Sequence, residues 1–227
     1  MAIHIDEPTP RTDPEIPRSF SWPTRRKFIC PPVTPPPVTA FATVVEQRRS
    51  VRFMAPVAIR ELVNFMAYST RPRFLRNDPA RESLRLSPSA GALHCIDTLL
   101  IDWRTSRRVA RYDPSDHTLD LLHIAKYDYL DKFVSRCEAI LPNASQTAIV
   151  LVADLPRINS KYENPESLIW RDAGILLQTL SLCATAYRLV TCMAGATGNE
   201  IVRALELPHP DFSPVGVIMV GREPRRD

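Results

Sequence analysis

Glycine is scarce in this chain. There are six, Gly91, Gly174, Gly195, Gly198, Gly216 and Gly221, and none in the first 90 residues. No G-x-G-x-x-G follows a strand and no G-x-x-x-x-G-K-[ST] occurs, which excludes a Rossmann fingerprint and a P-loop. G-x-S-x-G is missing too, and with it the nucleophile elbow of a hydrolase. The five cysteines, Cys30, Cys95, Cys137, Cys183 and Cys192, include no C-x-x-C pair. Neither a zinc site nor a disulfide framework is expected from them, and a reducing cytoplasm is the simplest setting. His4, His94, His117, His123 and His209 show no H-x-x-x-H spacing, so no metal site is expected. No apolar run approaches the roughly 18 residues of a membrane span. Residues Met1 to Glu7 lack the basic start and apolar core of a signal peptide. The net charge of +4 is too small to demand nucleic acid, although it favours an anionic ligand.

Proline is what the chain has in excess. Residues 1–39 are dense in it and end in Cys30-Pro31-Pro32-Val33-Thr34-Pro35-Pro36-Pro37. Proline fixes φ and removes a donor, so neither a helix nor a central strand is expected there. Two readings stand: a disordered or polyproline-type arm, and an extended arm laid on a partner subunit with Phe20, Trp22 and Phe28 as anchors. Residues 40–227 carry the periodicity of one α+β domain. Helices are expected near Phe41, over Ile59 to Tyr68, Asp128 to Ile140, Glu166 to Tyr187, and Asn199 to Leu205. An Arg- and Pro-rich loop, Arg71 to Pro88, follows the second of these. Strands are expected at Thr98 to Ile101, Val109 to Tyr112, Thr118 to Leu121, Thr147 to Ala153, Leu189 to Met193, and Val215 to Val220. The helix from Glu166 has so broad an apolar surface that it belongs deep in the core or at a subunit interface.

Gly91, Gly195 and Gly221 sit at element boundaries among small or polar residues. There, backbone N–H groups can approach a flat ligand, although each glycine alone is better explained as a tight turn. Arg48-Arg49-Ser50-Val51-Arg52 closes the first core helix, where cations suit the helix dipole.

The order of five short segments resembles the nitroreductase-like flavoproteins, and within them the branch that dehydrogenates azoline (thiazoline or oxazoline) rings in ribosomally made peptides. The segments are Arg48 to Arg52; Pro88-Ser89-Ala90-Gly91-Ala92-Leu93; Lys161-Tyr162 with Trp170-Arg171-Asp172-Ala173-Gly174 and Gln178; Cys192-Met193-Ala194-Gly195-Ala196; and Gly221-Arg222-Glu223-Pro224. Together they span roughly residues 40 to 224. The chain departs from that branch at His94-Cys95 in place of Tyr-Pro, at Ile175 in place of a commoner His, and at Thr179 in place of Asn.

The resemblance implies an α+β nitroreductase-like fold with a central, mainly antiparallel sheet, a homodimer, and FMN at the subunit interface. It implies that Arg48, Arg49, Ser50, Arg52 and Arg222 hold the phosphate side of FMN through charge-assisted bonds. Pro88, Ser89, Ala90 and Gly91 would pass along the ring, and Met193, Ala194 and Gly195 would offer N–H groups to its N5 and O4 edge. Lys161 and Tyr162 would be the catalytic pair, with Lys161 the base and Tyr162 assisting. Asp172 and Gln178 read as structural, and Gly174 as a close-packing position. The implied reaction is oxidation of a peptide azoline ring; oxygen could reoxidise the flavin, and a complex with a cyclising enzyme is open to such a protein. The alternatives are an NAD(P)H-dependent nitro or quinone reductase, and a non-catalytic flavin-binding or assembly subunit.

Overall fold

The computed structural model describes residues 5–75, 83–103, 107–142 and 147–224. In chain order the elements are β1 (Thr9–Pro10), β2 (Thr24–Ile29), α1 (Phe41–Gln47), α2 (Ile59–Thr70), β3 (Phe74–Leu75) and β4 (Ser83–Leu84). A 3-10 turn at Ala90–Ala92 leads into β5 (Ile96–Asp102), β6 (Arg108–Asp113), β7 (Thr118–Leu122) and α3 (Tyr127–Ile140). The second half holds β8 (Thr147–Asp154), α4 (Leu155–Asn159), β9 (Tyr162–Glu163), α5 (Glu166–Ala186), β10 (Val190–Ala194), α6 (Asn199–Ala204) and β11 (Phe212–Gly221). Part of the Arg- and Pro-rich loop, residues 76–82, lies outside the described residues.

Seven strands form one sheet in the order β10-β11-β8-β5-β6-β7-β2, each antiparallel to its neighbours. Every residue of β8 is buried, as its unbroken apolar run requires for a strand covered on both faces. Alternation sorts them. Ile149, Leu151 and Ala153 face a core shared with α2 and α5, whereas Ala148, Val150 and Val152 face a second core shared with α3 and α6. The molecule is therefore three layers with the sheet in the middle. β11 is also interior, yet it contains Pro214, which has no N–H to give to the ladder. Its register against β8 shifts between Pro214 and Gly216, which absorbs the missing donor.

The expected helices and strands are present, with ends displaced by a few residues. What the sequence hid is the behaviour of the arm. β2 pairs with β7 at the sheet edge, where unpaired backbone tolerates the flanking prolines. Phe20 and Trp22 pack on Phe212 of the same chain, with ring centroids 4.6 and 5.3 Å away, instead of reaching towards another subunit. Phe28 stays exposed under the Arg26 guanidinium. His117 Nε2 reaches the Pro31 carbonyl at 2.8 Å, so that nitrogen carries the proton. Its Nδ1 is left to accept from Tyr112 Oη at 2.9 Å. The hairpin between β6 and β7 thus anchors the polyproline stretch.

α4 was also hidden, because a five-residue helix lacks a periodic signature. Asp154 caps it, accepting the Arg157 N–H at 3.0 Å. Burial pushes the Asp154 carboxyl up to about 6 from an ordinary 3.8, despite that bond and the nearby Arg157 charge.

Two outcomes test this account. Replacing Phe212 with Ala should cost about 3–5 kcal/mol in urea unfolding, as for other large aromatic truncations, and should expose the arm to proteolysis before the domain unfolds. For Asp154, the folded carboxyl holds its proton to higher pH than the unfolded one. Stability is therefore lost as pH rises through the window from 3.8 to about 6. Asp154→Asn keeps the cap and removes the titration. Relative to the variant, the wild type should lose up to about 3 kcal/mol across that window, at 1.36 kcal/mol per pKa unit, and parallel curves would refute the assignment.

Candidate functional site

The loop before β5 doubles back sharply. Gly91, Ala92 and His94 have φ of +56°, +57° and +46°. Left-handed backbone suits Gly91, whereas at Ala92 and His94 it costs about 1–3 kcal/mol each unless something holds it. Asp172, on the first half of α5, does the holding. Its Oδ2 accepts from Ser89 Oγ at 2.6 Å and from the Ala90 N–H at 3.1 Å. Ser89 Oγ in turn accepts the His94 N–H at 3.0 Å. Burial raises the Asp172 carboxyl pKa, and the bonds from Ser89 and Ala90 oppose that rise.

Lys161 and Tyr162 meet the crest of this loop. Lys161 Nζ donates to the Gly91 carbonyl at 3.2 Å. A Cβ on Gly91 would lie 2.9 Å from Lys161 Cδ and 3.0 Å from Tyr162 Oη, so a side chain there would push the pair away. The arm steadies the same residues from behind. Pro10 pairs with Tyr162, and the Arg11 N–H donates to the Lys161 carbonyl at 2.9 Å. Three segments far apart in sequence therefore converge: the P-S-A-G-A turn, the Lys-Tyr pair and the D-A-G helix.

The other motifs gather elsewhere. Ser50 forms a parallel bridge with Thr191, and the Val51 N–H donates to the Thr191 carbonyl at 2.9 Å. Ala55 and Arg222 exchange both backbone bonds, at 2.8 and 2.9 Å. Arg49 pairs with Glu223 at 2.5 Å, and the Arg222 side chain pairs with Glu61. Among the described residues Arg48 and Arg52 have no carboxylate partner. Burial raises the Cys192 thiol pKa, and the Arg52 charge pulls against it, which places that guanidinium beside β10. Met193 is 39% exposed, and a Cβ on Gly195 would meet nothing within 4 Å. β10 pairs with β11 as far as Ala194, and open space begins at Gly195.

The two clusters share α5 but not a position on it. Asp172 anchors the first, and Ser181 Oγ, 3.1 Å from Thr191 Oγ1, anchors the second. Nine residues of helix separate these anchors by about 14 Å at 1.5 Å rise per residue. The anchors of the Ser89 and Gly195 clusters therefore stand at different heights on α5. The core face of α5 is buried as expected, but its outer face leaves Trp170 53% and Ile175 37% exposed. Gly174 lies on that face with nothing within 4 Å of a Cβ position, so it permits no close packing inside the chain, contrary to its expected role. The thiols of Cys95 and Cys192 are buried, and burial pushes Cys95 up to about 12. Sequence reasoning missed a cavity of about 630 Å³ that reaches Pro88 and Ser89 from the arm side. Its three arginines come from separate places, Arg85 from a loop, Arg111 from β6 and Arg157 from α4, and no shared motif links them.

Comparison with known proteins gives the family. Among curated proteins none matches this chain. The family model described as "Nitroreductase family" matches residues 45–222. Of solved structures, a protein described as a nitroreductase from Ralstonia eutropha superposes with a TM-score of 0.68 at 16% identity, over 97% of this chain and 99% of that one. A second such protein, from Anabaena variabilis, gives 0.60 at 20% identity, over 82% of this chain and 38% of that one. A chain of the E. coli microcin synthetase McbBCD, solved in complex with truncated pro-MccB17, gives 0.55 at 15% identity, over 89% and 79%. At these identities the superpositions show the fold alone, while the family model covers most of the chain. Its members are FMN-dependent oxidoreductases. The chain belongs to the nitroreductase family.

Proposed function

We propose that this chain is an FMN-dependent dehydrogenase that acts as a homodimer and oxidises an azoline ring in a peptide. The observation that carries this reading is the packing of Lys161 and Tyr162 on the Gly91 turn, with Lys161 Nζ 3.2 Å from the Gly91 carbonyl. That places a proton-transfer pair against a stretch of backbone too lean to obstruct a flat ring.

The residues present fit a flavin mononucleotide. Arg48 and Arg52, which have no carboxylate partner among the described residues, flank Ser50, whose bridge to Thr191 joins this segment to β10, and Gly195 at the end of that strand faces open space. Guanidinium groups give phosphate forked, charge-assisted bonds, and backbone N–H groups suit an electron-rich ring edge. Arg49 and Ser50 add donors there, and Arg222 is steered by Glu61. Pro88, Ser89, Ala90 and Gly91 form the second wall. Because the two clusters lie about 14 Å apart along α5, we assign the second wall to a partner copy. Apolar side chains left bare on and beside the long helix support that dimer: Trp170, Ile175, and Phe53 at 63% exposure.

Bound FMN would supply a two-electron acceptor. Aromatising an azoline ring removes a proton from ring carbon together with a hydride equivalent. Lys161 is the base that accepts that proton, and Tyr162 Oη orients the ring by hydrogen bonding. Asp172 keeps the Gly91 turn, and hence Lys161, in place. The McbBCD neighbour was solved with a peptide bound, which supports a peptide substrate and enzyme partners for this fold without identifying either here.

Purified protein should carry about one FMN per chain and sediment as a dimer. A flavin-loaded monomer would end the two-copy site. Arg52→Ala should weaken FMN binding by about 10- to 100-fold, the loss of one bond to a charged group, read by flavin fluorescence during titration. Lys161→Met should keep FMN at wild-type stoichiometry while turnover on a thiazoline peptide falls at least about 100-fold. Unchanged turnover removes Lys161 from the chemistry. Bleaching of the flavin by NAD(P)H, with nitro or quinone reduction indifferent to Lys161, would reassign the enzyme to the reductase class.

A further inference from the structure

The cavity of about 630 Å³ touches Pro88 and Ser89 but neither Lys161 nor Tyr162, and it includes none of Arg48, Arg52 and Arg222. It is a different space from the flavin site argued above. Phe20 and Trp22 of the arm wall one side, and Tyr112 and Leu176 line it further in. Three arginines line it, and they differ in one respect. Arg111 is fully engaged: Nε meets Asp97 Oδ1 and Nη1 meets Asp113 Oδ2, both at 2.8 Å, and Trp22 stacks over it. Among the described residues Arg85 has one hydrogen bond, Nε to Ser83 Oγ at 3.2 Å. The Arg157 guanidinium likewise has one, Nη1 to the His94 carbonyl at 3.4 Å. Among the described residues neither is ion-paired with a carboxylate.

The surrounding carboxylates offset these two only in part, Asp97 and Asp113 acting on Arg85 and Asp154 on Arg157, and none of them forms an ion pair with either. Asp97 and Asp113 serve Arg111, Asp116 pairs with Lys27 at 3.7 Å, Asp154 takes a backbone N–H, and Asp172 holds Ser89 and Ala90. His94 gives its Nε2 proton to the Ser83 carbonyl at 2.7 Å. Burial, and then the Arg85 charge, push its pKa down to about 4, so it is neutral near pH 7. Burial, and then Arg157, lower the Arg85 guanidinium to about 10, the mark of a cation deprived of water and repelled by a neighbour. A secluded, unpaired guanidinium is costly, and a bound anion removes that cost.

We infer that this cavity is a second ligand site, which takes an oxyanion (a carboxylate or a phosphate) between Arg85 and Arg157 and lays the ligand's apolar body against Phe20 and Trp22. Ser89 belongs both to this wall and to the Asp172 clamp. The site therefore abuts the turn that carries Gly91, and occupancy is in contact with the catalytic loop.

The test is calorimetric titration of the full chain with FMN in excess, so that any flavin phosphate site is filled. The probes are inorganic phosphate and glutarate, at constant ionic strength in sodium chloride. Binding of either is expected, weakened at least tenfold by Arg85→Met and by Arg157→Met and unchanged by Arg60→Met on the outer surface. Tighter phosphate binding points to a phosphorylated ligand, and tighter glutarate binding to a carboxylate. No heat from either probe, or heats unaltered in both cavity variants, overturns the proposal. A second measurement guards against misfolding. Without any probe, Arg85→Met should melt at or above the wild-type temperature, because an uncompensated charge is gone. A fall would show that the guanidinium is already satisfied by the protein and would count against the site.

Discussion

The carboxylate of Asp172 is the contact on which the geometry of the Gly91 turn and its neighbours depends. One oxygen receives both the Ser89 hydroxyl and the Ala90 N–H, and that grip keeps Gly91, Ala92 and His94 left-handed in quick succession. Two of those three residues are not glycine, so the turn is strained and must be held from outside. The anchor sits in α5, whose inner face is locked into the core through Ile169, Ala173, Leu176 and Leu180. A turn tied to a rigid helix can present a lysine with precision that a free loop cannot. Burial works against this carboxylate by favouring its neutral form, and the donated bonds work for it. The clamp is thus a balance between desolvation and hydrogen bonding.

α5 also explains why the site divides. A helix of 21 residues serves two clusters at different heights, one through Asp172 and one through Ser181 and Thr191. Side chains on a single rigid element cannot be drawn together by local adjustment, because close-packed cores do not deform continuously. The two clusters therefore keep their separation along the helix, and Trp170 and Ile175 lie bare on its outer face. The breadth of apolar surface read from the sequence therefore serves two purposes, with the core on one side and unfilled surface on the other.

What was legible in the sequence followed from periodicity. The unbroken run of β8 predicted a strand covered on both faces, and the long pattern of α5 predicted its span to within a residue. Short elements escaped. α4 is too brief for a repeat, and β1 and β9 pair through only two residues each. Proline density argued for a detached arm, and it misled because an edge strand needs donors on one side only. Phe20 and Trp22 were recognised as anchors, yet their partner, Phe212, lies almost 200 positions away and gives no local sign. The motif segments were visible as segments. Their division into two clusters was not, since spacing along a chain carries no information about height on a shared helix.

Arginine shows that limit most sharply. Among the described residues Arg49, Arg111 and Arg222 are tied to carboxylates, whereas Arg48, Arg52, Arg85 and Arg157 are not, and nothing adjacent in sequence distinguishes the two groups. Arg49 stands between Arg48 and the Ser50–Arg52 stretch, and only its reach to Glu223 separates it from them. Folding spends carboxylates where a cation must be still and withholds them where it must stay available. For an exposed pair the difference is worth little, because water screens it. In a cavity it is large, since an unpaired cation there lowers the stability of the protein alone. A protein that keeps two such groups facing one space loses stability unless something else fills it, and that loss is the physical reason to look for an anion there.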